Sequence, residues 1–142
     1  YLRSVSSPYE EEAPKYSSST VFAVERLAKL LGISASELET ALTDGGGIQV
    51  VEHTSGGRAA TVAVGDHRWS GRELRELLNL PSTWFEVSHD DDGRIVFTNR
   101  GYGHGVGLSQ YGANGMAEEG LPYTDIIKHY YKGVSVRPIF TE

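Results

Sequence analysis

Apolar and polar positions along this chain change their period several times, and each change marks the edge of an element. Val24, Leu27 and Leu31 recur at helical spacing and stop at Gly32, which predicts an amphipathic helix entered from a short strand over Thr20 to Val24. A second helix is predicted to open at once. Ser34 and Glu37 stand as an S-x-x-E capping box, with Ile33 and Leu38 placed as its hydrophobic staple. Three glycines at 45–47 break the chain before Ile48 to His53, which pairs as a hairpin with Ala59 to Val64 around the Gly56-Gly57 turn. Leu74, Leu77 and Leu78 return to helical spacing over Arg72 to Leu78. Trp84 to Ser88 and Arg94 to Thr98 predict a further hairpin about the turn His89 to Gly93. After a glycine-rich stretch at 101–107, two helices are expected, Ser109 to Glu119 and Pro122 to Tyr131. Pro122 then lies near the first turn and Gly133 just past the end. Short helices between hairpins predict an α+β fold. It has a mainly antiparallel sheet of short hairpins and a C-terminal helical pair after the glycine-rich loop.

The first 19 residues lack this periodicity. Pro8, Pro14 and the run Glu10, Glu11, Glu12 make them turn-rich and acidic, so they are expected to form an extended connecting segment. The sequence opens at Tyr1 without an initiator Met, which reads as a processed, cleaved or trimmed piece. At 142 residues the chain suits one domain, 1–142, with a core of its own. Hydrophobic residues make up 39% and charged residues 23%, within the range of globular rather than disordered chains. The longest apolar runs are a handful of residues, so no membrane span is expected. Thirteen basic against nineteen acidic side chains leave a net charge of −6, which argues against nucleic acid as a partner. Without cysteine there is no disulfide, thiol nucleophile or thiolate metal site in the chain.

The run Gly101, Tyr102, Gly103, His104, Gly105, Val106, Gly107 follows a predicted strand and precedes a predicted helix, a context that invites a dinucleotide reading. The spacing rejects it. The third glycine of G-x-G-x-x-G falls on Val106 or on Leu108, depending on where counting starts, and no G-x-x-x-x-G-K-[ST] occurs. Four glycines in seven positions do give backbone freedom and close approach. Tyr102, His104 and Val106 would then stand out from a thin ridge of main chain, with Ser109, Gln110 and Tyr111 directly after it. Amide, imidazole and hydroxyl groups beside aromatic rings suit a polyhydroxylated ligand. A wide bulge or sheet corner would use the same glycines, and the chemistry alone leaves the two readings open.

The run Arg100-Gly101-Tyr102-Gly103-His104-Gly105-Val106-Gly107-Leu108-Ser109-Gln110-Tyr111-Gly112-Ala113 is similar to the signature of the sporulation protein D / LytB (amidase enhancer) family. Gly115-Met116-Ala117, Gly120, Tyr123, Ile126-Ile127 and His129-Tyr130-Tyr131 resemble the same family's C-terminal helices. Ser70-Gly71-Arg72-Glu73-Leu74-Arg75 and the opening Tyr1-Leu2-Arg3-Ser4-Val5 with Ser7-Pro8-Tyr9 resemble it upstream. The resemblance implies a bacterial cell-envelope protein acting outside the cytoplasm on peptidoglycan glycan strands. It also implies the chemistry of a lytic transglycosylase, which cleaves the MurNAc–GlcNAc bond of peptide-stripped glycan and closes a 1,6-anhydro ring. The family's catalytic glutamate lies in an N-terminal half before the segment where this chain begins, so no residue here inherits that role. The chain alone is therefore expected to be inactive and to need that half as a partner. Tyr102, His104, Ser109, Gln110 and Tyr111 are the expected substrate-binding residues. The His and Cys metal ligands of some family members also lie upstream, and neither metal nor cofactor is expected here. The alternative within the resemblance is a non-catalytic wall-binding or amidase-enhancing module.

Local carboxylates offer no ready substitute for the acid. Glycosidic cleavage needs an acid held where its pKa is raised. Glu10 to Glu12 and Asp90 to Asp92 read as solvated charge runs, and Glu118 and Glu119 sit near a helix end. His53 and His67 fall on hairpin strands and His89 in a turn, with no H-x-x-x-H pair. His129 is expected to pack in the last helix, where Ile126, Ile127, Tyr130 and Tyr131 read as core.

Overall fold

A computed structural model describes residues 3, 5–9, 17–44, 46–101, 105 and 107–139. The chain divides into two compact units, Lys15–Gly105 and a second made of Tyr1–Pro14 with Val106–Glu142.

The unit Lys15–Gly105 runs β1 (Ser17–Phe22), α1 (Val24–Leu31), α2 (Ala35–Thr43), β2 (Ile48–His53), β3 (Ala59–Val64), β4 (His67–Ser70), α3 (Gly71–Leu78), β5 (Phe85–His89) and β6 (Ile95–Arg100). Its strands form two antiparallel three-stranded sheets, ordered β1-β6-β5 and β2-β3-β4. Both predicted hairpins are present, and the α+β character holds. Two strands depart from expectation. β1 begins at Ser17 rather than Thr20, because Ser17, Ser18 and Ser19 pair with Arg100, Asn99 and Thr98. β4 carries the polar residues His67 and Arg68, and its backbone pairing with β3 holds it in place.

Alternation on β6 decides what is buried. Ile95, Phe97 and Asn99 face inward at 0% exposure, while Arg100 is exposed. Phe97 meets Phe22 of β1 and Phe85 of β5 edge to face, with ring centroids 5.8 and 5.4 Å apart. Leu27, Leu31, Leu38, Leu74 and Leu78 bring α1, α2 and α3 into the same core, which Val62 and Val64 of β3 complete. The capping box of α2 forms as expected: the Glu37 N–H donates to Ser34 Oγ at 3.1 Å and the Ser34 N–H to Glu37 Oε2 at 2.8 Å. Ser70 and Glu73 build the same box at the start of α3.

The second unit holds α4 (Gln110–Glu118) and α5 (Tyr123–Tyr130). Its core is small: Met116, Ile126 and Tyr130 are buried, with Val5, Leu108, Ala113 and Tyr131 packed against them. Residues 5–9 lie along the helix pair. Ser7 Oγ and Tyr130 OH are 2.8 Å apart, and His129 Nε2 is 2.7 Å from the Ser6 carbonyl oxygen. Gly112 and Gly115 make this approach possible, since a Cβ at 112 would strike Tyr130, Ser7 and Pro8, and one at 115 would strike the Tyr9 side chain. Here the glycines serve close packing between chain segments.

Candidate functional site

Ser109, Gln110 and Tyr111 stand together at the start of α4. Ser109 is the N-cap residue, in extended conformation, and its Oγ accepts the Gly112 N–H at 3.2 Å. That hydroxyl therefore serves the helix first. Gln110 is exposed and Tyr111 is 47% exposed, although a tyrosine ring is among the larger apolar surfaces a chain can bury. Being adjacent on a helix, the two side chains leave it about 100° apart, so a ligand touching both would wrap the first turn rather than lie along one face. The Gly112 and Ala113 N–H groups are taken by the Ser109 hydroxyl and carbonyl, while the Gln110 and Tyr111 N–H groups are not used by the helix and add donors at the same place. Before the helix, the Leu108 N–H donates to Tyr131 OH at 3.2 Å, which ties the entry of α4 to the end of α5. Tyr102 and His104, the other predicted ligand residues, lie outside the described residues.

The other candidates resolve into structural uses. Asp90 accepts the backbone N–H groups of Asp92 and Arg94 and pairs with the Arg94 guanidinium at 2.7 Å, so it closes the β5–β6 turn. Glu118 accepts the Asn114 side-chain amide at 2.9 Å. His129 is half-buried and bonded to the Ser6 carbonyl, and Ile126 and Tyr130 beside it are core, as expected. Glu10 to Glu12 lie outside the described residues.

Carboxylate acidity points the same way. Hydrogen bonds from the Ser34 side chain and backbone lower the pKa of Glu37, the Ser70 backbone and side chain lower that of Glu73, and the Arg94 backbone N–H lowers that of Asp90. A general acid for glycosidic cleavage needs a shift in the opposite sense. Among the described residues, no group of three or more His, Asp or Glu side chains is arranged to hold a metal ion.

One cluster escaped the sequence reading. The guanidinium carbons of Arg58 and Arg100 lie 5.8 and 5.7 Å from the ring centroid of Trp84. Arg58 and Trp84 stand just before β3 and β5 and Arg100 ends β6, and no local pattern links them.

No protein-family model matches the chain. Curated relatives do. The chain is 41% identical over 136 residues to "Stage II sporulation protein D" of Bacillus amyloliquefaciens, and 39% identical over 136 residues to the protein of that name in Bacillus subtilis (strain 168). Each match covers 96% of this chain and 38% of the relative, so the chain spans little more than a third of their length. It is also 40% identical over 67 residues to "Amidase enhancer" of Bacillus subtilis (strain 168), covering 45% of this chain and 9% of that protein.

Proposed function

Since the chain belongs to the family of stage II sporulation protein D and the amidase enhancer, we propose that it is the glycan-binding portion of a sporulation cell-wall protein that works outside the cytoplasm. The observation that carries the reading is the first turn of α4. Gln110 and Tyr111 are presented to solvent there, directly after the glycine-rich run with Tyr102 and His104. An amide and an aromatic ring are suited to hydroxyl and N-acetyl groups and to the C–H face of a sugar.

The activity proposed for the whole protein is that of a lytic transglycosylase. A carboxylic acid protonates the glycosidic oxygen as the C1–O bond breaks. The muramyl 6-hydroxyl attacks C1 and gives up its proton, closing a 1,6-anhydro ring without consuming water. With the displaced carboxylates Glu37, Glu73 and Asp90 all shifted downward, that acid comes in this reading from the part of the relatives that the chain does not span.

The test is calorimetric binding of peptide-stripped glycan. Gln110→Ala removes a hydrogen bond of about 0.5–1.5 kcal/mol and is expected to weaken affinity roughly two- to twelve-fold at unchanged melting temperature. A drop in stability with affinity intact would assign the first turn of α4 to scaffolding. The second reading, a non-catalytic amidase-enhancing module, has the 67-residue match to the amidase enhancer in its favour. It predicts glycan binding with no release of anhydro-sugar products by the full-length protein.

A further inference from the structure

Helix α5 carries two apolar stripes, and packing on α4 accounts for one of them. Ile126 and Tyr130, four residues apart, are buried in one cluster with Met116 of α4. Tyr123 and Ile127, also four apart, form a second stripe about 100° round the helix, and Tyr131 follows four residues on, where the helix ends. A helix that packs on one side carries polar residues on the others. Instead, Tyr123 is 68% exposed and Ile127 and Tyr131 are half-buried. After Gly133, at φ 74°, the chain turns and runs on without helix or strand. Ile127, Tyr131, Val134, Ser135, Val136 and Arg137 line a groove of about 560 Å³. Val134 and Val136 are half-buried and alternate with exposed Ser135 and Arg137, the period of an extended chain.

The rim of this groove is cationic. Arg137 lines it, and Lys128 and Lys132 follow Ile127 and Tyr131 in sequence. None of the three takes part in the ion pairs seen among the described residues. Between residues 123 and 139 they stand against a single acid, Asp125, in a chain whose net charge is −6. An apolar groove edged with free cations matches a surface that is apolar and edged with carboxylates. The groove also adjoins the candidate site: Tyr131 OH accepts the Leu108 N–H at 3.2 Å, two residues before Gln110.

We propose that this groove seats an apolar segment edged with carboxylates, supplied by the portion of the same protein that this chain does not span. The chain covers 38% of its sporulation relatives, so in a protein of their length the occupant is tethered and present at high effective concentration. Apolar side chains of that segment fill the space beside Ile127, Val134 and Val136, and its carboxylates meet Arg137 and Lys132. The inference rests on the reading above, in which that portion supplies the catalytic acid. Seated here, it enters beside the first turn of α4.

The chain has no cysteine, so a single introduced thiol can report on the groove. Ser135→Cys places one at the exposed lining, and Ser55→Cys, between β2 and β3 in the other unit, serves as the control. Alkylation rates at the two positions, located by mass spectrometry, are compared in the 142-residue chain and in the full-length protein. In the full-length protein the Ser135→Cys thiol is expected to react about tenfold or more slowly, with the control unchanged. Adding Lys132→Glu and Arg137→Glu is expected to restore the rate to within about twofold of that in the chain. Equal rates in the two proteins overturn the proposal, and so does protection that survives the charge reversal. Protection of the chain that grows with its own concentration gives the groove to a second copy. Protection of the chain by phosphatidylglycerol vesicles gives it to a membrane surface, and either result overturns the proposal. Glycan affinity measured on the same samples separates this inference from the reading it rests on. Equal alkylation rates with glycan still bound sink the docking site and leave the wall reading standing.

Discussion

In the unit Lys15–Gly105 three helices and two sheets converge on side chains with no exposed surface, among them Leu27, Leu38, Val62, Ile95 and Phe97. Among the described residues, the unit holding α4 and α5 has a core of three buried apolar side chains, Met116, Ile126 and Tyr130, joined by polar ties: Ser7 to Tyr130, His129 to Ser6, Leu108 to Tyr131. Apolar burial is non-directional and scales with area, so the first unit gains from every packed methylene. Hydrogen bonds between hydroxyls contribute less each but demand one geometry. The exposed candidate ligand residues Gln110 and Tyr111 sit in the unit built the second way, where position is held by specific bonds over a small core.

Phe97→Ala is the strongest test of this contrast. It deletes the ring between Phe22 and Phe85 and should cost the first unit about 3–5 kcal/mol. Urea unfolding followed by tryptophan fluorescence reads it, since both tryptophans, Trp69 and Trp84, lie in that unit. A loss below about 1 kcal/mol would mean that the aromatic core is not what holds the sheets.

Gly115→Ala carries a smaller and sharper effect. In a free helix alanine is favoured over glycine by about 1 kcal/mol, whereas crowding against Tyr9 costs roughly 1–3 kcal/mol. The expected outcome is net loss, read as faster hydrogen exchange of α4 and α5 amides. Slower exchange would show that residues 5–9 do not press on α4 in solution.

The smallest effect is acid sensitivity in the first unit. Glu37, Glu73 and Asp90 have folded-state pKa values below their ordinary ones, so between the two values the unfolded chain binds more protons. Their stabilising contribution is complete above the ordinary glutamate value of 4.5 and fades as pH falls through the folded values. Melting temperature measured downward from pH 5 is expected to fall, and Glu73→Gln, which cannot ionise, should flatten that slope. An unchanged slope would separate the capping box of α3 from acid stability.

Legibility in the sequence follows the range of the interaction. The capping box at Ser34 and Glu37 spans three residues and could be read directly, and Ser70 with Glu73 repeats the pattern. Helices α4 and α5 and both hairpins were equally local. The start of β1 was not, because a serine run has no apolar alternation and is drawn into the sheet by β6, 79 positions away at the Ser19–Thr98 pair. Arg58, Trp84 and Arg100 share the same difficulty, since only backbone bonds between distant strands bring them together. At the candidate site, Ser109 could be read as a helix start, but its hydroxyl could be assigned to the cap only once Gly112 was seen to donate to it.

The contact between Ser7 and Tyr130 spans 123 positions, as does that between Ser6 and His129. During synthesis, residues 5–9 emerge well before α4 and α5, the helices they pack on. The unit Lys15–Gly105 meets no such delay, since its own strands and helices are complete while α4 and α5 are still to be made. Contacts this distant in sequence close slowly, which makes the order of assembly a property of the chain's route: residues 5–9, made before the helices they pack on, find their place only after those helices exist.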